Sequence, residues 1–243
     1  IHFGRLEAIV VDEADEFVSQ GFKAALSAVM RFATRRALGP NVPRRDVTDV
    51  QVLFVAATLS RADWDEGIKE VYPGRIKRVV TPLLHLVSPQ IQQRVVEVCS
   101  DAERLDAIEK SLRELDTQTL VFTESLDACD AVAAELQRRL SGMSIVTFHG
   151  KVGRRTEVLD RFWAGDHQVL VCTDLGARGL DFPNVRHVAQ YSLPATPEMY
   201  LHRLGRTARA GQVPPFYATT LVDRENDSPE MVDIVQRGVD SGE

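Results

Sequence analysis

Cysteine is scarce in this 243-residue chain: Cys99, Cys129 and Cys172 lie far apart and form no Cys-x-x-Cys pair. Such an odd, scattered set supplies neither a disulfide framework nor a zinc site, and it suits a reducing, intracellular setting. Long apolar runs are also missing. None approaches the roughly 20 residues that cross a bilayer as a helix, so no membrane partner is expected. The opening residues Ile1-His2-Phe3-Gly4-Arg5 lack the pattern of a secretory signal and do not begin with methionine, so the chain is expected to be a piece of a longer one. A phosphate loop of the form Gly-x-x-x-x-Gly-Lys-Ser/Thr does not occur. Gly150-Lys151 comes nearest, but Val152 follows it and the earlier glycine is not there. Without that nest of backbone amides and its lysine, these residues by themselves are not expected to hold nucleotide phosphates tightly.

Apolar residues make up 44% of the chain, enough to bury a core in one large domain or in each of two smaller ones. A net charge of -6 excludes a uniformly basic coat, so any nucleic-acid contact must come from local patches. Between Arg31 and Arg45 there are arginines at 31, 35, 36, 44 and 45 and no acid, which reads as a basic solvated loop. Residues 224–243 are rich in Asp and Glu and read as a frayed acidic tail.

Apolar runs of strand length recur at Ala8 to Val11, Val50 to Val55, Thr119 to Phe122, Ser144 to Phe148, Gln168 to Cys172, His187 to Tyr191 and Phe216 to Leu221. Most are continuous rather than alternating, the mark of strands covered on both faces in a parallel sheet. Helical stretches fall between them at Ala102 to Leu115, Leu126 to Leu140 and Thr156 to Trp163, with Ser125 placed to cap the second. Alternation of this kind predicts an α/β fold. Periodicity fails at residues 82–89, where Pro82 and Pro89 bracket a segment read as an interdomain linker. Residues 1–81 then carry part of a first domain, 90–223 a complete second one.

Three segments carry chemistry. Ile9-Val10-Val11-Asp12-Glu13-Ala14-Asp15 ends an apolar strand in carboxylates, which suits a divalent cation or, more plainly, a helix N-terminus. Ala177-Arg178-Gly179-Leu180-Asp181 follows another apolar run. His202-Arg203-Leu204-Gly205-Arg206-Thr207-Ala208-Arg209 sets Arg206 and Arg209 three apart, on one face if the helix continues, as a clamp for a polyphosphate.

In this order the three segments resemble the second, fifth and sixth motifs of the DEAD-box RNA helicases, and the resemblance covers nearly the whole chain. It implies RecA-like parallel sheets covered by helices: the back of a first domain and an entire second one. It implies ATP and Mg2+ as cofactors, with Asp12 at the metal and Glu13 polarising the attacking water. Arg206 and Arg209 would be arginine fingers on the γ-phosphate, Asp181 would hold the ribose, and Arg178 would join the nucleotide network. Asp15, Thr58 and His202 would couple the domains. Gly150 and Thr173 match RNA-contact positions, which grip the sugar-phosphate backbone of single-stranded RNA or a short duplex rather than its sequence.

The chain departs from the family pattern in four places. The third motif reads Ala56-Ala57-Thr58 where Ser-Ala-Thr is usual, and Arg154-Arg155-Thr156-Glu157 puts an acid where an arginine is usual. Ala208 replaces a usual glycine, and Ser192 a common aspartate. The expected function is an ATP-dependent RNA helicase. The alternative is a helicase-like RNA-binding scaffold of weak turnover in ribonucleoprotein assembly, such as ribosome biogenesis. The arginine-rich stretch from Arg31 to Arg45 would then grip phosphates of such a particle. A DNA helicase is the third and least favoured reading.

Overall fold

A computed structural model describes residues 7–15, 23–36, 51–56, 68, 76–80 and 86–240. The chain forms two compact units, Ile1–His85 and Leu86–Glu243. The division falls within the 82–89 stretch, of which 82–85 lie outside the described residues.

In the first unit, strands β1 (Ala8–Val11) and β2 (Gln51–Phe54) pair in parallel, with Ala8 opposite Gln51 and Val11 opposite Phe54. Helix α1 (Lys23–Arg36) contributes Leu26 and Met30, one turn apart, to a small core with Val11, Ala14 and Ile68. Arg31, Arg35 and Arg36 therefore belong to a helix rather than to the basic loop expected there, because no breaker interrupts the segment before Gly39-Pro40. Arg44 and Arg45 lie outside the described residues.

The second unit is a six-stranded parallel sheet. Its elements are β3 (Ile91–Glu97), α2 (Asp101–Leu115), β4 (Thr119–Phe122), α3 (Leu126–Arg139), β5 (Ile145–Phe148), α4 (Arg155–Ala164), β6 (Val169–Cys172), α5 (Asp174–Ala177), β7 (His187–Gln190), α6 (Pro197–Leu204), β8 (Phe216–Val222) and α7 (Pro229–Asp240). The strand order is β3-β8-β7-β4-β6-β5. Every residue of β4, β6 and β7 is buried, so β6 and residues 120–122 of β4 read as unbroken apolar runs, while Thr119, His187 and Gln190 are buried polar residues at strand ends. Successive side chains serve opposite faces. Leu120, Phe122, Leu170 and Cys172 join one cluster with Phe162 of α4, Leu204 of α6 and Val235 of α7. Val121, Val169 and Val171 join another with Ile108 and Leu112 of α2 and Val132 and Leu136 of α3. Both buried thiols stay protonated, since burial pushes Cys129 up to about 11 and holds Cys172 well above the usual thiol range.

One element is missing from the sequence reading and one expectation needs correction. Strand β3 was not legible as an apolar run, because as an edge strand it alternates, with Gln92 and Arg94 exposed. The acidic tail is not frayed over its whole length: residues 229–240 form α7, whose Met231 and Val235 are in the core and whose Ile234 packs against it. Spacings of three and four put these apolar residues on one stripe, so burial outweighs the acidic composition.

His187 lies wholly inside the sheet, with Thr119 Oγ1 3.1 Å from Nδ1 and Thr219 Oγ1 3.0 Å from Nε2. Burial, with a smaller contribution from Arg94, lowers its pKa from 6.5 to about 3, so the ring is neutral. The unfolded chain takes up a proton as pH falls through about 6.5, whereas the folded chain resists until about pH 3. Stability is thus complete above pH 6.5 and is lost across that window by about 1.4 kcal/mol per pH unit for one proton. The stability gap between the parent and His187→Gln, from urea unfolding at pH 7 and pH 4.5, should shrink at the lower pH. A gap of constant size would refute this.

Candidate functional site

The acidic segment of the first unit sits where β1 ends. Beyond Val11 the chain turns sharply: the Glu13 amide donates to Asp12 Oδ1 at 2.9 Å, and Glu13 takes the left-handed conformation with φ of 50°. For a residue with a side chain this costs roughly 1–2 kcal/mol. The turn is held from the far side, because Ala14, fully buried, donates its amide to the Val55 carbonyl at 2.9 Å, while the Val55 amide donates to Val11 at 2.8 Å. Asp12 is thereby presented exposed at the carboxyl end of a parallel strand, with Glu13 and Asp15 half-buried beside it. Carboxyl ends of such strands are where open α/β sheets bind ligands. Thr58, expected to couple the domains, lies outside the described residues; Ala56 is half-buried at the end of the β2 segment.

In the second unit, β6 runs into Thr173, whose hydroxyl accepts the Gly176 amide at 3.3 Å and caps α5. Thr173 is buried, its hydroxyl engaged in that cap. Gly176 is obligatory, for a Cβ there would stand 2.6 Å from the backbone oxygen of Phe148. The chain then passes half-buried Arg178 and reverses at Gly179, φ 66°, to present Leu180 and Asp181. Gly150 is exposed after β5. Beside it the Lys151 amide donates to His149 Nδ1 at 3.3 Å, so the ring proton is on Nε2, 3.1 Å from Asp130 Oδ1.

Helix α6 is started by Thr196, whose hydroxyl accepts the Met199 amide at 3.3 Å, and by Pro197 in the first turn. It carries half-buried His202 and ends at Leu204. Arg206 and Arg209 therefore do not share a helix face as their spacing predicted. They lie in the turns beyond, where Ala208 is left-handed with φ of 54°. That conformation explains why glycine suits this position and why the alanine is strained. Convergence is achieved by contact instead: buried Arg206 donates from Nη1 to the Leu180 carbonyl at 3.0 Å and from Nε to the His202 carbonyl at 3.2 Å, while Arg209 Nη1 pairs with Asp181 Oδ1. Trp163 Nε1 donates to the Asp181 carbonyl at 2.9 Å. The structure thus brings Arg206, Arg209 and Asp181 together within the second unit.

Arg203 was not singled out by sequence. It is 2% exposed and donates to Asp174 Oδ1 at 2.7 Å and Oδ2 at 2.8 Å, to Ser192 O at 2.6 Å and to Gln190 Oε1 at 3.3 Å, with its guanidinium 5.2 Å from the Phe122 ring centre. It ties α6 to the ends of three neighbouring strands. Its partners lie 11 to 29 residues away, so no local pattern marks it. Ser192 Oγ itself donates to Glu124. The reversed charge at Glu157 is met by Arg154 Nη1 at 3.4 Å, both exposed, and Arg155 lies over Phe148 at 4.7 Å.

Residues 102–211, from α2 to just past Arg209, match the family described as the helicase conserved C-terminal domain. The chain is 38% identical over 177 residues to DEAD-box ATP-dependent RNA helicase 22 of Oryza sativa subsp. japonica, covering 67% of this chain and 30% of that protein. It is 32% identical over 213 residues to DEAD-box ATP-dependent RNA helicase CshA of Bacillus cereus, covering 85% and 37%. S. cerevisiae Dbp5 bound to RNA and ADP BeF3 has the same fold, with a TM-score of 0.72 at 24% identity over 96% of this chain and 57% of that one. The chain belongs to the DEAD-box helicase family and carries its helicase C-terminal domain. It spans about a third of the length of the curated relatives it matches, 31%, 38% and 30% of the first three.

Proposed function

We propose that this chain supplies part of an ATP-dependent RNA helicase, an RNA-stimulated ATPase that clamps and remodels RNA. The observation that carries this reading is the convergence of Arg206 and Arg209 on Leu180-Asp181, a cationic pair beside a carboxylate in the motifs that the family uses for nucleotide. Phosphoryl transfer asks for positioning and charge stabilisation more than for covalent chemistry, and guanidinium forks supply both. Arg206 and Arg209 act on the transferring phosphoryl group and Asp181 on the ribose. Glu13 orients the attacking water. Asp12, an exposed carboxylate at a strand end, suits a hard divalent cation, and it would hold Mg2+ in company with the phosphates. That ion, when bound, neutralises developing charge on the phosphate oxygens. Asp15, Thr58 and His202 couple the two units, Arg178 joins the nucleotide network, and Gly150 and Thr173 mark the RNA path. The setting is intracellular, and the RNA is part of a ribonucleoprotein particle.

A second reading, a scaffold with weak turnover in ribonucleoprotein assembly such as ribosome biogenesis, is favoured by one observation. The Arg154–Glu157 pair neutralises charge beside the expected RNA path.

Both readings are tested by measuring ATP hydrolysis by the whole protein alone, with single-stranded RNA and with DNA of the same length. Glu13→Gln serves as the control. Turnover that RNA stimulates, DNA does not, and the variant lacks is the expected result. Tight RNA binding without turnover would replace the enzyme by the scaffold.

A further inference from the structure

We infer that Gln212 is a positioning residue for the ATPase proposed above, on which this inference rests: its one carboxamide holds the loop bearing Arg209 against the segment bearing Asp181. Gln212 Oε1 accepts the Arg209 amide at 2.8 Å, and the Gln212 amide donates in return to the Arg209 carbonyl at 3.0 Å. On the other side, Nε2 donates to the carbonyls of Phe182 at 3.0 Å and Pro183 at 2.9 Å, the two residues that follow Asp181. Both ends of the amide are thus spent on backbone, and each end serves a different one of the two elements expected to face nucleotide.

The loop needs such a fastening. Helix α6 has ended at Leu204, Ala208 is left-handed with φ of 54° and Gly211 has φ of 88°, so no helical or strand ladder defines where Arg209 lies. A side-chain amide replaces the missing ladder. The Asp181 segment, by contrast, is anchored independently by Arg206 on Leu180 at 3.0 Å and Trp163 on Asp181 at 2.9 Å. Removing the carboxamide should therefore leave Asp181 in place and release the Arg209 backbone. Displacements of about 1 Å in a charge-stabilising group can cost on the order of 100-fold in rate.

The test is steady-state ATP hydrolysis by the whole protein at saturating RNA, for the parent, Gln212→Leu and Gln212→Glu. Leucine removes both ends of the amide, and glutamate keeps the acceptor for Arg209 while losing the donor to Phe182 and Pro183. For leucine, kcat should fall about 10- to 100-fold while KM for ATP stays within about threefold and the melting temperature moves little. Glutamate should also fall, because both ends are required. A kcat for Gln212→Leu within about twofold of an active parent overturns the positioning role and leaves the ATPase reading intact. A fall that only tracks loss of folded protein, or that sits in KM alone, overturns it equally. A parent without RNA-stimulated hydrolysis overturns the ATPase reading and takes this inference with it.

Discussion

Arg203→Met is expected to destabilise the second unit by about 3–5 kcal/mol, the cost of removing one partner from a buried ion pair. The side chain is 2% exposed, and its loss leaves Asp174 without the two-pronged contact at 2.7 and 2.8 Å, Ser192 O without a donor and Gln190 Oε1 likewise. Because a domain has only about 5–15 kcal/mol in hand, this is a large part of the whole. The shape of the loss is also predicted. Arg203→Lys keeps the charge but cannot present a planar fork to a carboxylate and two further acceptors, so it should recover only part of the difference. Adding Asp174→Leu to Arg203→Met should recover part of the loss, since it removes the stranded carboxylate while Ser192 O and Gln190 Oε1 stay without their donor. Urea unfolding of the four proteins at pH 7 is the measurement. An Arg203→Met midpoint equal to that of the parent would show that the pair is dispensable.

Six residues along the chain, Arg209→Ala should do the opposite. Its ion pair with Asp181 is open to water, with side-chain exposures of 38% and 71%, and surface pairs contribute about 0–1 kcal/mol. The melting temperature should therefore stay within a few degrees of the parent. Under the ATPase reading, however, the guanidinium stabilises charge on the transferring phosphoryl group, and comparable arginines are worth about 10³–10⁵ in rate. Single-turnover hydrolysis with RNA should drop by at least about 10³, with Arg209→Lys recovering little because an ammonium lacks the fork. A drop of less than about tenfold would remove Arg209 from the chemistry. Two arginines of one short motif are thus separated by burial: one is held inside the fold, the other is open to water and, under the ATPase reading, to the ligand.

How much of this was legible without coordinates depended on whether the cause was local. Strand β6 and most of β4 could be read because burial on both faces leaves a run of apolar residues, and the cap at Ser125 because a hydroxyl and the amide three residues on are neighbours in sequence. The α/β class follows from such local signals, whereas Asp12, Glu13, Asp181, Arg206 and Arg209 are singled out by the resemblance of their segments to family motifs. Strand β3 and helix α7 escaped because an edge strand alternates and an acidic helix can still bury one stripe. What only the tertiary structure decided is where each arginine goes. Helix α6 stops at Leu204, so Arg206 and Arg209 meet Leu180 and Asp181 across turns rather than along a helix face. Arg203 turns inward to Asp174, and Gln212 spans two loops. Apart from the short link of Gln212 to Arg209, these partners are 26 to 30 residues apart in the chain and are chosen by the order of strands in the sheet, which the local spacing of residues does not encode.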